Sequence, residues 1–186
     1  MKHLLIIFTL LLTSVSWSKS IDSKDLVKTD GLYYEKFTDK PFTGKVTGAK
    51  QGKIKKGKIK GKWNEYWENG TLKKTYTFKK GKKEGEQLGY HDNGQLQFKH
   101  NYKDDKIEDG EWLWYYDDGQ LRWKENYKDG KREGESLSYY KSGELWNKSN
   151  YKDGKLYGEW LWYNENGQLE ETEIYKDGKL IETIDH

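Results

Sequence analysis

The sequence predicts an all-β fold: an elongated, twisted single antiparallel β-sheet, a meander built from about five 24-residue hairpin repeats plus an irregular first unit. Three observations lead there. Turn glycines recur at Gly70, Gly94, Gly119, Gly143 and Gly167, spaced 24, 25, 24 and 24 residues apart. A fixed period of this length marks stacked copies of one supersecondary unit, and it directs the search for function to an extended surface rather than a cleft. Each copy holds two short runs of strand-forming residues, as at 112–116 and 121–127, each followed by a turn signal such as Asp118-Gly119 or Asp129-Gly130. Finally, the chain of 186 residues is 33% hydrophobic and 35% charged, too polar for a thick aliphatic core, yet 16% aromatic with nine Trp and fifteen Tyr. Such residues suit a pleated, half-wet surface.

Taken in order, residues 1–18 read as a secretory signal peptide, with Lys2 and His3 ahead of the apolar run 4–12 and small residues at 14–18. The run is short for a bilayer span, and export to a periplasm or beyond is the expectation. Residues 19–43 form a lead-in, 44–182 the repeat domain and 183–186 a tail. Within the repeat domain, 45–60 adds two strands ahead of five units at 61–84, 85–109, 110–133, 134–157 and 158–181.

Several positions are constant from unit to unit. Tyr66, Tyr90, Tyr115, Tyr139 and Tyr163 follow the first glycine, Leu72, Leu96, Leu121, Leu145 and Leu169 follow the turn glycine, and Phe78, Tyr102, Tyr127, Tyr151 and Tyr175 come six residues later. Leu88, Leu113, Leu137 and Leu161 join them in four units. Because strand residues alternate faces, loop length decides which of these meet. A three-residue loop, Asp117-Asp118-Gly119 with a left-handed glycine, sets Tyr115 opposite Leu121. The same loop at 128–130 would put Tyr127 on the face of Leu137 and Tyr139, uniting all the columns on one buried side. The second unit has one extra residue between Asp105 and Gly110, which predicts a wider turn at 104–109.

The opposite face then carries Trp63, Trp67, Trp112, Trp114, Tyr116, Trp146, Trp160 and Trp162, joined by Tyr140. No stretch of the mature chain has the helical periodicity needed to cover it. This aromatic surface is the candidate partner-binding site. Cross-strand aromatic pairing, or burial by coiling of the sheet, is the competing structural explanation.

The net charge of +3 conceals a segregation: residues 40–83 carry 15 Lys against Glu65 and Glu68, net +13, whereas 84–186 is net −10. Lys53, Lys55, Lys56, Lys58 and Lys60 make a basic patch. Three readings are open for it: lysines guarding an edge strand, contact with anionic lipid, or, least favoured, nucleic acid, which the acidic remainder would repel. There is no cysteine, which excludes disulfides, thiolate metal sites and a Cys nucleophile. The four histidines, His3, His91, His100 and His186, show no metal-ligand or triad spacing. No catalytic residue, metal, cofactor or small-molecule substrate is expected, and the chain reads as a non-enzyme.

A strand, an Asn-Gly or Asp-Gly turn, a strand and then Tyr-Lys-Asp-Gly-Lys with a Gly-Glu start is the pattern of MORN-repeat variant proteins. It stands here as YWENGTL, YHDNGQL, YYDDGQLRWKENYKDGKREGE, YYKSGELWNKSNYKDGK and YNENGQLEETEIYKDGK, over residues 44–182. The opening GLYYEKFTDKPFTGKVTG, residues 31–48, resembles the lead-in of the group labelled YwqK-family antitoxins of toxin-antitoxin systems. The resemblance implies one elongated antiparallel sheet without enzymatic activity. Its motif residues are those that build the sheet, so it names no partner. The expectation is an exported repeat protein whose sheet binds a macromolecule, most simply another protein, in an antitoxin- or immunity-like role. The alternative is an envelope-associated scaffold held to anionic lipid by the basic end.

Overall fold

Antiparallel pairing follows chain order almost without interruption, as expected where each hairpin can bury its faces only against the next. The computed structural model describes residues 19–186, so the expected signal peptide at 1–18 lies outside the described residues. From Gly44–Thr47 the ladder passes through Lys50–Lys55, Lys58–Tyr66, Leu72–Lys79, Gly85–Tyr90, Leu96–Lys103 and Gly110–Tyr115. It continues through Leu121–Lys128, Gly134–Tyr139, Leu145–Lys152, Gly158–Tyr163, Leu169–Lys176 and Lys179–Asp185. Two-residue strands such as Lys131–Arg132 extend each connection between units. The result is one 18-stranded sheet. It departs from the expected purely antiparallel meander at one place, where Ser20–Asp22 runs parallel to Gly44–Thr47.

The lead-in does not stand apart from the repeats. Ile21 and Phe42 pack with Val46, Ile54, Ile59 and Trp63 in the one apolar cluster of buried residues among those described, toward their N-terminal end. A separate hairpin, Leu26–Thr29 with Leu32–Glu35, is tied on by Tyr33 N donating to Gly57 O at 2.9 Å.

The Asp117-Asp118-Gly119 loop has the expected three residues. Tyr116 N donates to Gln120 O at 2.8 Å, Gly119 N donates to Tyr116 O at 3.1 Å, and Gly119 sits at φ +91°, a conformation that a Cβ would strain. Tyr115 accordingly faces Leu121. The strand does not then continue in simple alternation: Trp114 faces Trp123, which leaves Arg122 as an extra, bulged residue. Lys73, Gln97, Trp146 and Glu170 are extra in the same way in the other units.

Each bulge reverses the parity of the rest of its own strand. Leu113, Tyr115, Leu121, Leu137 and Tyr139 share one face as expected, but Tyr127 crosses to the tryptophan face, where it pairs with Arg132. Phe78, Tyr102, Tyr151 and Tyr175 cross with it. The expected three-residue loop at 128–130 is also corrected. Lys128 pairs with Lys131 around the two residues Asp129, φ 51°, and Gly130, φ 75°. Positive φ at both makes this a type I′ turn, whose twist matches the flanking strands. In the second unit the turn stays just as tight on Asp104 and Asp105, φ 52° and 67°. The extra residue is absorbed instead between Glu108, whose N donates to Asn101 O, and Gly110 at φ 130°.

The edge-strand explanation of the lysine patch fails as well. Lys50–Lys55 lies between Gly44–Thr47 and Lys58–Tyr66, and Lys58–Tyr66 also pairs with Leu72–Lys79, so both strands are interior.

Candidate functional site: an aromatic face

Pairing lines the tryptophan side of the sheet into rows that run across the strands. One row passes from Phe98 through Trp114, Trp123, Ser138, Asn147 and Trp162 to Glu171. A neighbouring row holds Gln87 opposite His100, Trp112 opposite Glu125, Ser136 opposite Ser149 and Trp160 opposite Glu173. The tyrosines that changed face make the third.

The deepest burial of the repeats is on this side, not on the Tyr and Leu side as expected. Phe98, Gln87, His100, Glu125, Ser136, Asn147 and Ser149 are all buried here. Phe98 lies directly over Gly89, where an added Cβ would stand 2.1 Å from its ring. His100 is stacked between Phe98 at 5.0 Å and Trp112 at 4.0 Å between centroids, with interplanar angles of 5° and 13°. Neither imidazole nitrogen has a hydrogen-bond partner among the described residues. Burial, then the positive charges of Lys83 and Lys74, pulls the His100 pKa down to about 4, so the ring is neutral at pH 7.

Glu125 is 1% exposed and lies 2.9 Å from Arg132 Nε, an ion pair whose geometry falls short of a hydrogen bond. Burial raises its pKa, and the Tyr127 hydroxyl and the Arg132 charge oppose that rise. The guanidinium also spans the Trp123 and Tyr151 rings at 5.6 and 5.1 Å.

The eight aromatic candidates separate into four settings. Trp63 is buried in the N-terminal cluster and presents no surface. Trp67 belongs to the turn edge, where its indole donates to Tyr90 O at 3.1 Å beneath Lys73. The equivalent residues of the next three units do the same: His91 meets Tyr115 O, Tyr116 donates to Tyr139 O and Tyr140 to Tyr163 O. Trp112 is enclosed between His100 and Tyr127. The remaining five form the accessible part. Trp114, Tyr116 and Trp146, with Trp123, Arg122, Ser138 and Tyr139, line an open recess of ≈ 410 Å³. Trp146, 43% exposed, meets Trp162 edge-on at 5.7 Å, and Trp162 stacks on Trp160 at 4.6 Å.

The indole N–H groups of Trp112, Trp114 and Trp160 are buried and donate to nothing among the described residues, whereas those of Trp123 and Trp162 reach Ser136 and Glu173. Of these three, Trp114 alone lines the recess. Among the described residues, no three or more His, Asp or Glu side chains gather in a metal-holding group.

The repeats match the family model described as MORN repeat variant at residues 59–80, 83–104, 108–131, 132–153 and 156–177, more than half of the chain. The chain belongs to the MORN repeat variant family. No curated protein matches it. The five MORN repeats carry the rows, but the side chains that differ between them shape the site. The third repeat supplies Trp114, Arg122 and Trp123, and the fourth supplies short Ser138 and the bulged Trp146.

Sequence reasoning missed Trp123, Phe98, His100, Glu125 and Tyr127 on this face. All five follow a bulge, and only the count from strand to strand could have placed them. The lysines Lys53, Lys55, Lys56, Lys58 and Lys60 are exposed, with Lys53 directly opposite Lys60 and Lys55 opposite Lys58. None of the ion pairs among the described residues includes them.

Proposed function

We propose that this MORN repeat protein is a non-enzymatic binding protein that docks a protein partner on the aromatic recess of its third and fourth repeats. The observation carrying this reading is the recess between Trp114, Trp123 and Trp146, open to solvent and beside the unpartnered Trp114 indole N–H. Tryptophan, tyrosine and arginine are the residue types that anchor protein interfaces, and all three meet here. Export through residues 1–18 and a toxin-neutralising, immunity-like role are the specific form of this reading. They rest on the sequence and on the resemblance of residues 31–48.

A second reading is favoured by one observation, the directly opposed and un-ion-paired lysines at 53/60 and 55/58. Like charges facing each other across a ladder are unfavourable, and a layer of anionic headgroups would relieve them.

The test is recovery of partners from envelope extracts by the wild type and by Trp146→Ala combined with Arg122→Glu, with circular dichroism confirming that the variant is folded. Loss of a saturable partner by the variant is expected. Recovery of the same partners by both would remove the recess from consideration. Flotation with anionic vesicles, abolished by salt and by Lys53→Glu/Lys55→Glu, would instead support the lipid reading.

A further inference from the structure

Three of the five repeats close their first hairpin on Asn-Gly: Asn69-Gly70, Asn93-Gly94 and Asn166-Gly167. In this dipeptide the glycine amide nitrogen can reach the asparagine Cγ with little steric hindrance. The three turns share backbone hydrogen bonding, since Gly70 N, Gly94 N and Gly167 N donate to Trp67, His91 and Asn164 O at 2.9, 3.0 and 2.9 Å. Their carboxamides are not held alike. Asn69 Oδ1 accepts from Thr71 N at 2.9 Å and its Nδ2 donates to Asp92 O in the next repeat at 2.9 Å. Asn93 is clamped in the same two ways, by Gln95 N at 3.0 Å and by Asp117 O at 2.7 Å.

The fifth repeat loses both clamps, and its sequence says why. Position 164, aromatic or histidine in the other repeats, is asparagine here, and Asn164 Oδ1 takes the Gln168 N–H at 3.0 Å that would otherwise fall to Asn166. The same oxygen also accepts from Asn166 N at 3.0 Å. The one later turn among the described residues, Asp177-Gly178, closes the opposite edge of the sheet, so none follows on this edge to accept from Asn166 Nδ2. Its exposed carboxamide makes no hydrogen bond among the described residues.

We infer that Asn166 is a site of spontaneous backbone-assisted deamidation, and that the equivalent Asn69 and Asn93 are protected by their clamps. Gly167 N, losing its proton, attacks Asn166 Cγ. The new C–N bond closes a succinimide as the Cγ–Nδ2 bond breaks, and ammonia leaves carrying that proton. Water then opens the ring at Cγ to give aspartate, or at the main-chain carbonyl to give isoaspartate. No electrons are transferred, and water is the only co-reactant. The aspartate product is the residue type that the third repeat already carries at the same place, as Asp118. The isoaspartate product lengthens the main chain of a three-residue loop by one methylene. Either product adds a negative charge to the half of the chain that is already net −10.

The experiment incubates the folded full chain at mildly alkaline pH in ¹⁸O-labelled water and follows the three Asn-Gly peptides by mass spectrometry, with isoaspartate separated from aspartate. Label should enter at residue 166, and entry at residues 69 and 93 should be slower by about tenfold or more, since two hydrogen bonds of ordinary net strength must break there first. In urea the three rates should converge, which shows that the difference belongs to the fold and not to the neighbouring residues. Asn164→Tyr, the residue found at Tyr140, should return the Gln168 amide to Asn166 and slow labelling. Equal rates in the folded chain, faster reaction at 69 or 93, or an Asn164→Tyr variant that reacts as fast as wild type would each overturn the assignment.

Discussion

At the scale of single residues, the fold keeps ionisable groups on an aromatic face by neutralising them in two different ways. His100 is kept uncharged by burial between rings, whereas Glu125 has Arg132 beside it. For His100 the folded pKa of about 4 lies below the ordinary 6.5, so the unfolded chain binds more protons between those values. The stability it contributes is therefore complete above about pH 6.5 and falls as pH drops toward 4, by roughly 1–3 kcal/mol. The charged groups facing it are Lys83 and Lys74, with Gln87 and Tyr102 as neutral neighbours. His100→Phe should flatten that part of the pH–stability profile in urea titrations and leave stability at pH 7 unchanged or higher, because two buried nitrogens without partners disappear. An unchanged slope would show that other groups carry the acid sensitivity. Removing the Arg132 charge beside Glu125 should act in the opposite sense. Arg132→Leu leaves a 1%-exposed carboxylate uncompensated and should cost about 2–4 kcal/mol at pH 7, less at pH 5, where Glu125 is more readily protonated. A loss independent of pH would indicate lost packing alone.

At the scale of elements, the hairpin is the legible unit and the bulge is the hidden one. Period, strand positions and the three-residue loop at Gly119 could all be read, because turn residues and aromatic runs are local signals. Arg122 has no such signal: lysine, glutamine, tryptophan and glutamate occupy its place in the other repeats. What selects the bulge is the register that the neighbouring strands impose, and single-strand alternation cannot contain that information. The error was therefore systematic. It moved Tyr127 and its four equivalents to the wrong face while leaving Trp112, Trp114, Trp160 and Trp162 on the right one. The turn-edge ladder was similarly invisible, because Trp67, His91, Tyr116 and Tyr140 share only the ability to reach a carbonyl one repeat away. That ladder predicts a periodic effect. Tyr116→Phe and Tyr140→Phe each remove one inter-repeat hydrogen bond at 2.8 Å and should each lower stability by about 1 kcal/mol. Their repeats differ and the bonds share no atom, so chemical denaturation of the double variant should show the sum. A double variant no less stable than either single would mean that the hydroxyls simply exchange this carbonyl for water.

At the scale of the whole molecule, a linear sheet has no long-range closure, so stability passes only from neighbour to neighbour and the two ends decide where opening begins. Those ends are unlike. The N-terminal end holds the apolar cluster of Ile21, Phe42, Val46, Ile54, Ile59 and Trp63, with Val46 at 0% and Trp63 at 3% exposure. At the other end every residue of Lys179–Asp185 is exposed, Ile181 at 63%, and the strand is held by Leu169–Lys176 alone among the described residues. Few buried apolar contacts and solvent-exposed ladder bonds are the conditions for low local opening energy. Native-state hydrogen exchange should then give a gradient along the sequence. Amides of Lys179–Asp185 should exchange first, Leu169–Lys176 next, and those of Lys50–Lys55 and Lys58–Tyr66 last. The gradient makes a sharper prediction when the strong end is damaged. Trp63→Ala leaves a cavity in the one apolar cluster found among the described residues and should remove about 3–5 kcal/mol of protection there. Exchange at Leu169–Lys176, already limited by local fraying, should barely change. If that substitution instead lowered protection evenly from Lys50 to Asp185, the array would be opening as one cooperative unit, and stability would not be passing from repeat to repeat.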